Sequence, residues 1–167
     1  MISAELQKAI DNLQIQDVYL RNLVARYEGD FDPKYNADVE SLVIQAKHHV
    51  RQSMVVELDG QEKMLRVFVE MGTRWVDEKA QDEASSVKAL IEAEFIAEYT
   101  MKQMLEKASL DEFSLKNVSY HIWPYWRELL SSQCDRMHLP RAVLPTVQLA
   151  HNRHANHAPD KDESNSQ

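Results

Sequence analysis

Cysteine is almost missing: Cys134 is the only one in 167 residues. No disulfide can close within the chain, and no cysteine-rich metal site can be assembled. Such a thiol-poor chain is expected in the cytoplasm. Glycine is nearly as scarce, at three residues, so most tight turns must be made by Asn, Asp and Pro. No run approaches the ~18 apolar residues of a membrane-spanning helix. The opening MISAELQKAIDNLQ has neither the basic start nor the apolar core of a secretory signal. The chain is therefore expected to be soluble and not itself exported. Basic residues are outnumbered, 19 against 27, for a net charge of -8. A phosphate backbone rewards Lys and Arg, so nucleic acid is a poor partner; solubility and a basic partner are favoured. A phosphate-binding loop, a nucleophile elbow and a metal-ligand triad are all absent from the sequence, and neither an enzyme nor a cofactor is expected.

What the chain does have is periodicity. Ile2, Leu6, Ala9, Ile10 and Leu13 recur at spacings of three and four, which predicts a short amphipathic helix with Ser3 at its N-cap. IQDVYLRNLVARYE, residues 15–28, is rich in β-formers with mixed alternation and reads as a strand. GDFDPKYNAD follows as a loop. Over 39–50, Leu42, Ile44, Ala46, His48 and Val50 share one face, and Asp59-Gly60 then signals a hairpin turn. Over 64–76, Leu65, Val67, Val69, Met71 and Trp75 lie opposite Arg66, Glu70 and Arg74. VDEKAQDEAS is a charged connector. Over 87–99, Val87, Ala89, Ile91, Ala93, Phe95, Ala97 and Tyr99 form one unbroken face, with Lys88, Glu92, Glu94 and Glu98 on the other beside Leu90 and Ile96. Period two sustained for so long excludes a helix and overrides the poor strand propensity of Ala and Glu.

From Thr100 the period becomes helical. Met101, Met104, Leu105 and Ala108 fit one turn set, and from Phe113 the apolar positions run through Leu115, Val118, Ile122, Trp126, Leu129, Leu130, Cys134 and Met137. HLPRAVLPTVQL is extended, because each proline pushes its predecessor out of the α region. Strands segregated from helices predict an α+β fold: a four-stranded antiparallel sheet with a long kinked helix packed on one face. The length fits one domain, placed at residues 15–149, with a helical extension at 1–14 and a disordered tail at 150–167 that has nothing to bury. Pro124 has two readings. Inside a helix it removes a hydrogen bond and kinks the rod; as the first residue of a new helix it costs nothing. Trp123, Tyr125 and Trp126 point around the helix, which suits a rod sandwiched between a sheet and a neighbouring subunit.

The stretch WPYWRELLSSQCDRMHLPRAVLP resembles the helix and following segment of the export chaperone SecB family. The matching box is Trp123, Pro124, Tyr125, Arg127 and Glu128, followed by the proline-punctuated LPRAVLP; the strands of residues 15–149 match by pattern. The resemblance implies an ATP-independent chaperone that holds unfolded polypeptides, assembles as a homotetramer (a dimer of dimers), and delivers precursors to the SecA motor for export. It also implies a client groove. Phe31 and Tyr35 on the loop after the first strand would line it, as would Leu139, Val143, Leu144 and Val147 on the extended stretch. Large apolar residues on loops either bind a partner or pack down on the sheet, and both readings stand at this point. The family's motor-binding surface would retain Leu90 and Glu92, but Asn22 and Arg26 stand where acids are expected. Residues 150–167 cannot form the second helix that borders the groove. These departures point to a divergent member and raise an alternative: a dedicated partner-binding chaperone of the same fold, guarding for example an antitoxin, not coupled to SecA.

Other candidates read as structural. His151, His154 and His157, with Asp160 and Asp162 beyond, share metal-ligand spacing, but nothing apolar would hold them on a helix. His48 falls on the apolar face of its strand beside His49, without a nucleophile to serve. Cys134 reads as inert packing; Met64, Met71, Met101 and Met104 read as core; Arg127 and Glu128 read as structural contacts. Glu92, Glu94 and Glu98 read as solvated charge.

Overall fold

Leu13–Tyr27 (β1), Val43–Glu57 (β2), Lys63–Val76 (β3) and Val87–Met101 (β4) pair into one antiparallel sheet in the spatial order β1-β4-β3-β2. The computed structural model describes residues 2–60 and 62–144. β2, β3 and β4 follow one another as hairpins. Gly60 turns the first of these at φ +87°, a conformation that favours glycine. Residues 28–42 carry the chain from one edge of the sheet to the other.

Two bulges explain the mixed alternation of β1. The register shifts between Ile15 and Asp17 and again between Leu20 and Asn22. Each inserts a residue and resets the period of two. As a result Ile15, Val18, Leu20, Leu23, Ala25 and Tyr27 pair with Tyr99, Ala97, Phe95, Ala93, Ile91 and Ala89, all on one face of β4. Leu65, Val67, Val69, Met71 and Trp75 of β3 join that face and are buried.

Helices roof this inner face. Lys107–Lys116 (α3) and Val118–Arg136 (α4) bury Leu110, Phe113, Val118, Ile122, Trp126, Leu130 and Cys134 against it. Tyr99 meets Phe113 edge-on at 5.0 Å, and its hydroxyl lies 2.8 Å from Nδ1 of His121. Ala4–Asn12 (α1) packs on α3 through Leu6 and Ala9, with the Ser3 hydroxyl accepting from the Leu6 amide at 3.1 Å. A four-residue helix, Glu83–Ser86 (α2), is capped by Asp82, and the hydrogen bonds from Ser85 hold that carboxyl below its ordinary pKa. The α+β class, the antiparallel four-stranded sheet and the long bent helix on one face are as the sequence predicts.

Three local expectations are corrected. The helix predicted from Thr100 begins at Lys107. Thr100 and Met101 continue β4, because Gln14, Leu13 and Met64 offer them strand partners; pairing overrides local spacing. Met104 is left exposed rather than buried in the core. The strand predicted from residue 39 begins at Val43, since Val39–Ser41 forms a 3-10 turn fixed by the Ser41 hydroxyl donating to the Asp38 carbonyl. Pro124 does not start a helix: it is the seventh residue of α4. Its missing N–H cannot bond the Tyr120 carbonyl, and the helix bends.

α4 ends in a Schellman motif. His138 takes φ 51°, and the Leu139 amide donates back to the Cys134 carbonyl at 3.1 Å. The chain then crosses the inner face. Tyr27 donates to the Met137 carbonyl at 2.7 Å, Leu139 is buried, and the Trp75 indole donates to the Pro140 carbonyl at 3.1 Å. The expectations for Val147, the tail histidines and the disordered tail lie outside the described residues.

Candidate functional site

The roof does not cover the whole sheet. α4 lies over β4, β1 and β3; β2 is met mainly by α3, and by α4 through the Ser119 hydroxyl beside His48. The inner face of β2 follows from its register: Ile44, Ala46, His48 and Val50 stand beside Trp75, Thr73, Met71 and Val69. The β3 partners are buried, whereas Ile44 is 40% exposed and Ala46 and His48 are open to solvent. On the far edge, Leu20 of β1 is 42% exposed, with Ile15 and Tyr27 similarly open. These strips carry no carboxylate or amine; His48 is their one titratable side chain apart from the Tyr27 phenol. Its Nε2 lies 2.7 Å from the Ser119 hydroxyl of α4, and burial lowers its pKa, with His49 adding a smaller push in the same direction. Among the described residues, β1 and β2 each pair on one side only. Each therefore presents a free row of backbone N–H and C=O groups, next to exposed apolar side chains.

An extended polypeptide could use both features at once, pairing its main chain with an edge and laying alternate side chains on the strip. Of the side chains predicted for such a role, Tyr35 is 79% exposed on the crossover loop and Val143 is 87% exposed beyond α4. Phe31 packs against the core, edge-on to Tyr27 at 6.0 Å. Leu139 is buried and Leu144 rests against the core. In the helical box, Trp123 and Leu129 pack partly on the core, while Tyr125, Arg127 and Glu128 face solvent. Ile44 and Ala46 were visible in the sequence only as members of one strand face, and Leu20 and Ile15 only as residues of a strand with mixed alternation. Nothing local in it says that the roof stops short of them.

The outer face has a different chemistry. Leu90 and Glu92 lie on it, Leu90 between Arg26 and Arg74 in register. Asn22 is the neighbour of Glu94. The reading of Glu94 as solvated charge is overturned: it is only 6% exposed. Arg21, beside the register shift in β1, reaches it from one edge at 2.7 Å, and Arg51, at the shift in β2, from the other at 3.0 Å. Glu98 accepts from Arg66 at 2.9 Å and from Tyr19 at 2.9 Å. Glu92 pairs with Lys47 at 3.1 Å across Gly72, where a Cβ would stand 3.4 Å from both side chains. Phe68 and Ile96 are buried on this face without a helix above them; Arg21 and Arg66 each stack over the Phe68 ring at 5.5 Å. All three carboxylates of β4 are thus neutralised from neighbouring strands.

Among the described residues no group of three or more His, Cys, Asp or Glu is placed to hold a metal, and no helix is long and apolar enough to cross a membrane. The sequence matches no protein-family model and no curated protein. The fold does match solved structures. The SecB-like chaperone Rv1957 of Mycobacterium tuberculosis, solved in complex with a ChAD peptide from the Rv1956 HigA1 antitoxin, superposes with a TM-score of 0.65. The alignment covers 87% of this chain and 98% of that one at 17% identity. A protein of unknown function from Streptococcus agalactiae aligns at TM-score 0.38 and 6% identity, over 80% of this chain and 96% of that one. The chain therefore has the fold of a SecB-like chaperone.

Proposed function

We propose that this chain is an ATP-independent molecular chaperone that holds unfolded or extended polypeptides, without chemistry and without a cofactor. The observation that carries this reading is the uncovered apolar strip of β2, bordered by an open strand edge, on the opposite side of the sheet from a face of paired charges. Client side chains would seat over Ile44, Ala46 and Val50. Tyr35 and Val143 would flank them, while Phe31, Leu139 and Leu144 would support the groove from beneath. The complex of the similarly folded Rv1957 with an antitoxin peptide supports a polypeptide ligand. A cytoplasmic homotetramer, a dimer of dimers that passes precursors to SecA for export, is the fuller form of this reading.

A dedicated chaperone for one labile partner, such as an antitoxin, is the second form. One observation favours it: Glu92 is already neutralised by Lys47, and Arg26 stands beside Leu90, so the outer face offers a basic motor domain no free acid there. Light scattering from an aggregating unfolded protein tests both forms. The purified chain should suppress aggregation with no nucleotide present, and a monomer that leaves aggregation unchanged would sink the proposal. Measured binding to purified SecA then separates the two: binding selects the export form, and its absence beside tight binding of one partner selects the other.

A further inference from the structure

Of the three glycines in the chain, two have a conformational reason. Gly29 and Gly60 take positive φ in turns. Gly72 has no positive φ and lies inside β3, a central strand. A glycine in a strand interior weakens the strand, and such a residue often marks a place where a ligand or another backbone comes close. On the outer face its neighbours in register are Lys47 of β2 and Glu92 of β4. A Cβ at Gly72 would stand 3.4 Å from a side-chain atom of each. The missing side chain opens a cleft of about 300 Å3, walled by Gln45, Lys47, Arg74 and Glu92.

The charges around this cleft are unequal. Arg21, Arg26, Lys47, Arg51 and Arg66 each pair with a carboxylate. Among the described residues Arg74 pairs with none. Its Nε donates at 2.7 Å to Oε1 of Gln45, its cross-strand neighbour and a neutral amide. That bond orients the guanidinium and leaves the terminal nitrogens, Nη1 and Nη2, to grip a carboxylate as a fork. Leu90 and Arg26 continue the same row, and Lys88 donates to the Ser85 carbonyl at 2.9 Å instead of to an acid. A basic end of the face thus stands in a chain of net charge -8. A phosphate chain would meet Glu92 in the cleft and Glu70 next to it, 3.9 Å from Lys47. A peptide suits the mixed walls better. It can bring a carboxylate to Arg74 and a main-chain N–H to Glu92, of which Oε1 accepts from Lys47 at 3.1 Å.

We propose that the cleft over Gly72 docks an acidic segment of a partner polypeptide, with an Asp or Glu carboxylate on Arg74 and the partner's main chain crossing the gap that glycine leaves. The site is on the opposite face of the sheet from the client strip, and it does not rest on the chaperone reading.

The test is fluorescence anisotropy of a fluorescein-labelled, Glu-rich peptide titrated with the full chain at physiological salt. The peptide should bind saturably, and its counterpart with Gln in place of every Glu should not. Arg74→Gln removes the fork and Gly72→Val fills the gap; each should weaken binding about tenfold. Arg136→Gln, in the last turn of α4, makes the same change in net charge and should leave binding as it was. Arg74 is exposed, so its variant carries the test even where Gly72→Val does not fold. No binding of the Glu-rich peptide overturns the proposal. Equal losses from Arg74→Gln and Arg136→Gln overturn it too, because they reduce the contact to unspecific charge. Tighter binding of a short single-stranded RNA than of the peptide, lost in Arg74→Gln, would assign the cleft to nucleic acid and also overturn it.

Discussion

β2 and β4 are the same length, both antiparallel, and both carry mainly apolar residues on the inner face, β2 with His48 and Ser53 among them. β4 has no exposed residue and is buried at eight of its fifteen positions, whereas β2 has no buried residue and is exposed at ten of fifteen. The difference lies in their neighbours. β4 has a strand on each side and α4 above it; β2 has one strand neighbour and is met only by α3 and by the start of α4 at Ser119. An apolar row that is roofed stabilises the fold, at roughly 25 cal/mol per Å2 buried. The same row unroofed contributes little to stability and remains available to a ligand. The central strands therefore answer for the fold, and the margins are the place to look for function.

Substitutions can sharpen that contrast. Trp75→Ala in the roofed region should have the largest effect, a loss of about 3–5 kcal/mol by denaturant unfolding. Glu94→Ala on the outer face should cost about 1–2 kcal/mol, below the value for a fully buried pair because Arg21 and Arg51 are half-exposed. Acidification should give a smaller loss. His121, beside Tyr99 in the roofed core, is held below its ordinary pKa by burial. The unfolded chain takes up that proton at a pH of about 6.5, before the folded chain does. Stability is therefore full above that pH and falls as the pH drops toward the lower folded value; His121→Gln should flatten the fall in thermal midpoint between pH 7.5 and 5.5. His138→Gly should raise stability by about 0.5–1 kcal/mol by relieving the left-handed backbone at the end of α4. Ile44→Asp on the unroofed strip should have the smallest effect on stability, within about 0.5 kcal/mol, while abolishing client binding. A loss there as large as at Trp75 would erase the distinction between the two strands.

Much of the fold was legible because β3 and β4 alternate without interruption. β1 was harder to read. Its two register shifts each skip a residue, so the apolar set changes phase twice within fifteen residues. Arg21 sits at one of those shifts and Arg51 at the separate shift in β2, which is why their convergence on Glu94 could not be anticipated from alternation. The end of β4 was misread as helix because the spacing of Met101, Met104 and Leu105 is local information, whereas the partners of Thr100 and Met101 are distant in sequence. The candidate site was less legible than the fold. Loop aromatics and the proline-rich segment drew attention, yet Phe31 and Leu139 are packed inward. Ile44 and Ala46 read only as members of one strand face. Their exposure depends on where α4 lies over the sheet, a property of the assembled layers.

Photo-crosslinking along β2 tests the central claim most directly. A photoreactive side chain at position 44 points to the inner strip, and one at position 45, the next residue, points to the outer face. With an unfolded polypeptide in excess and no nucleotide, position 44 should capture the polypeptide and position 45 should not. Equal capture from both positions, or capture from 45 alone, would contradict the assignment of the strip as the client-binding surface.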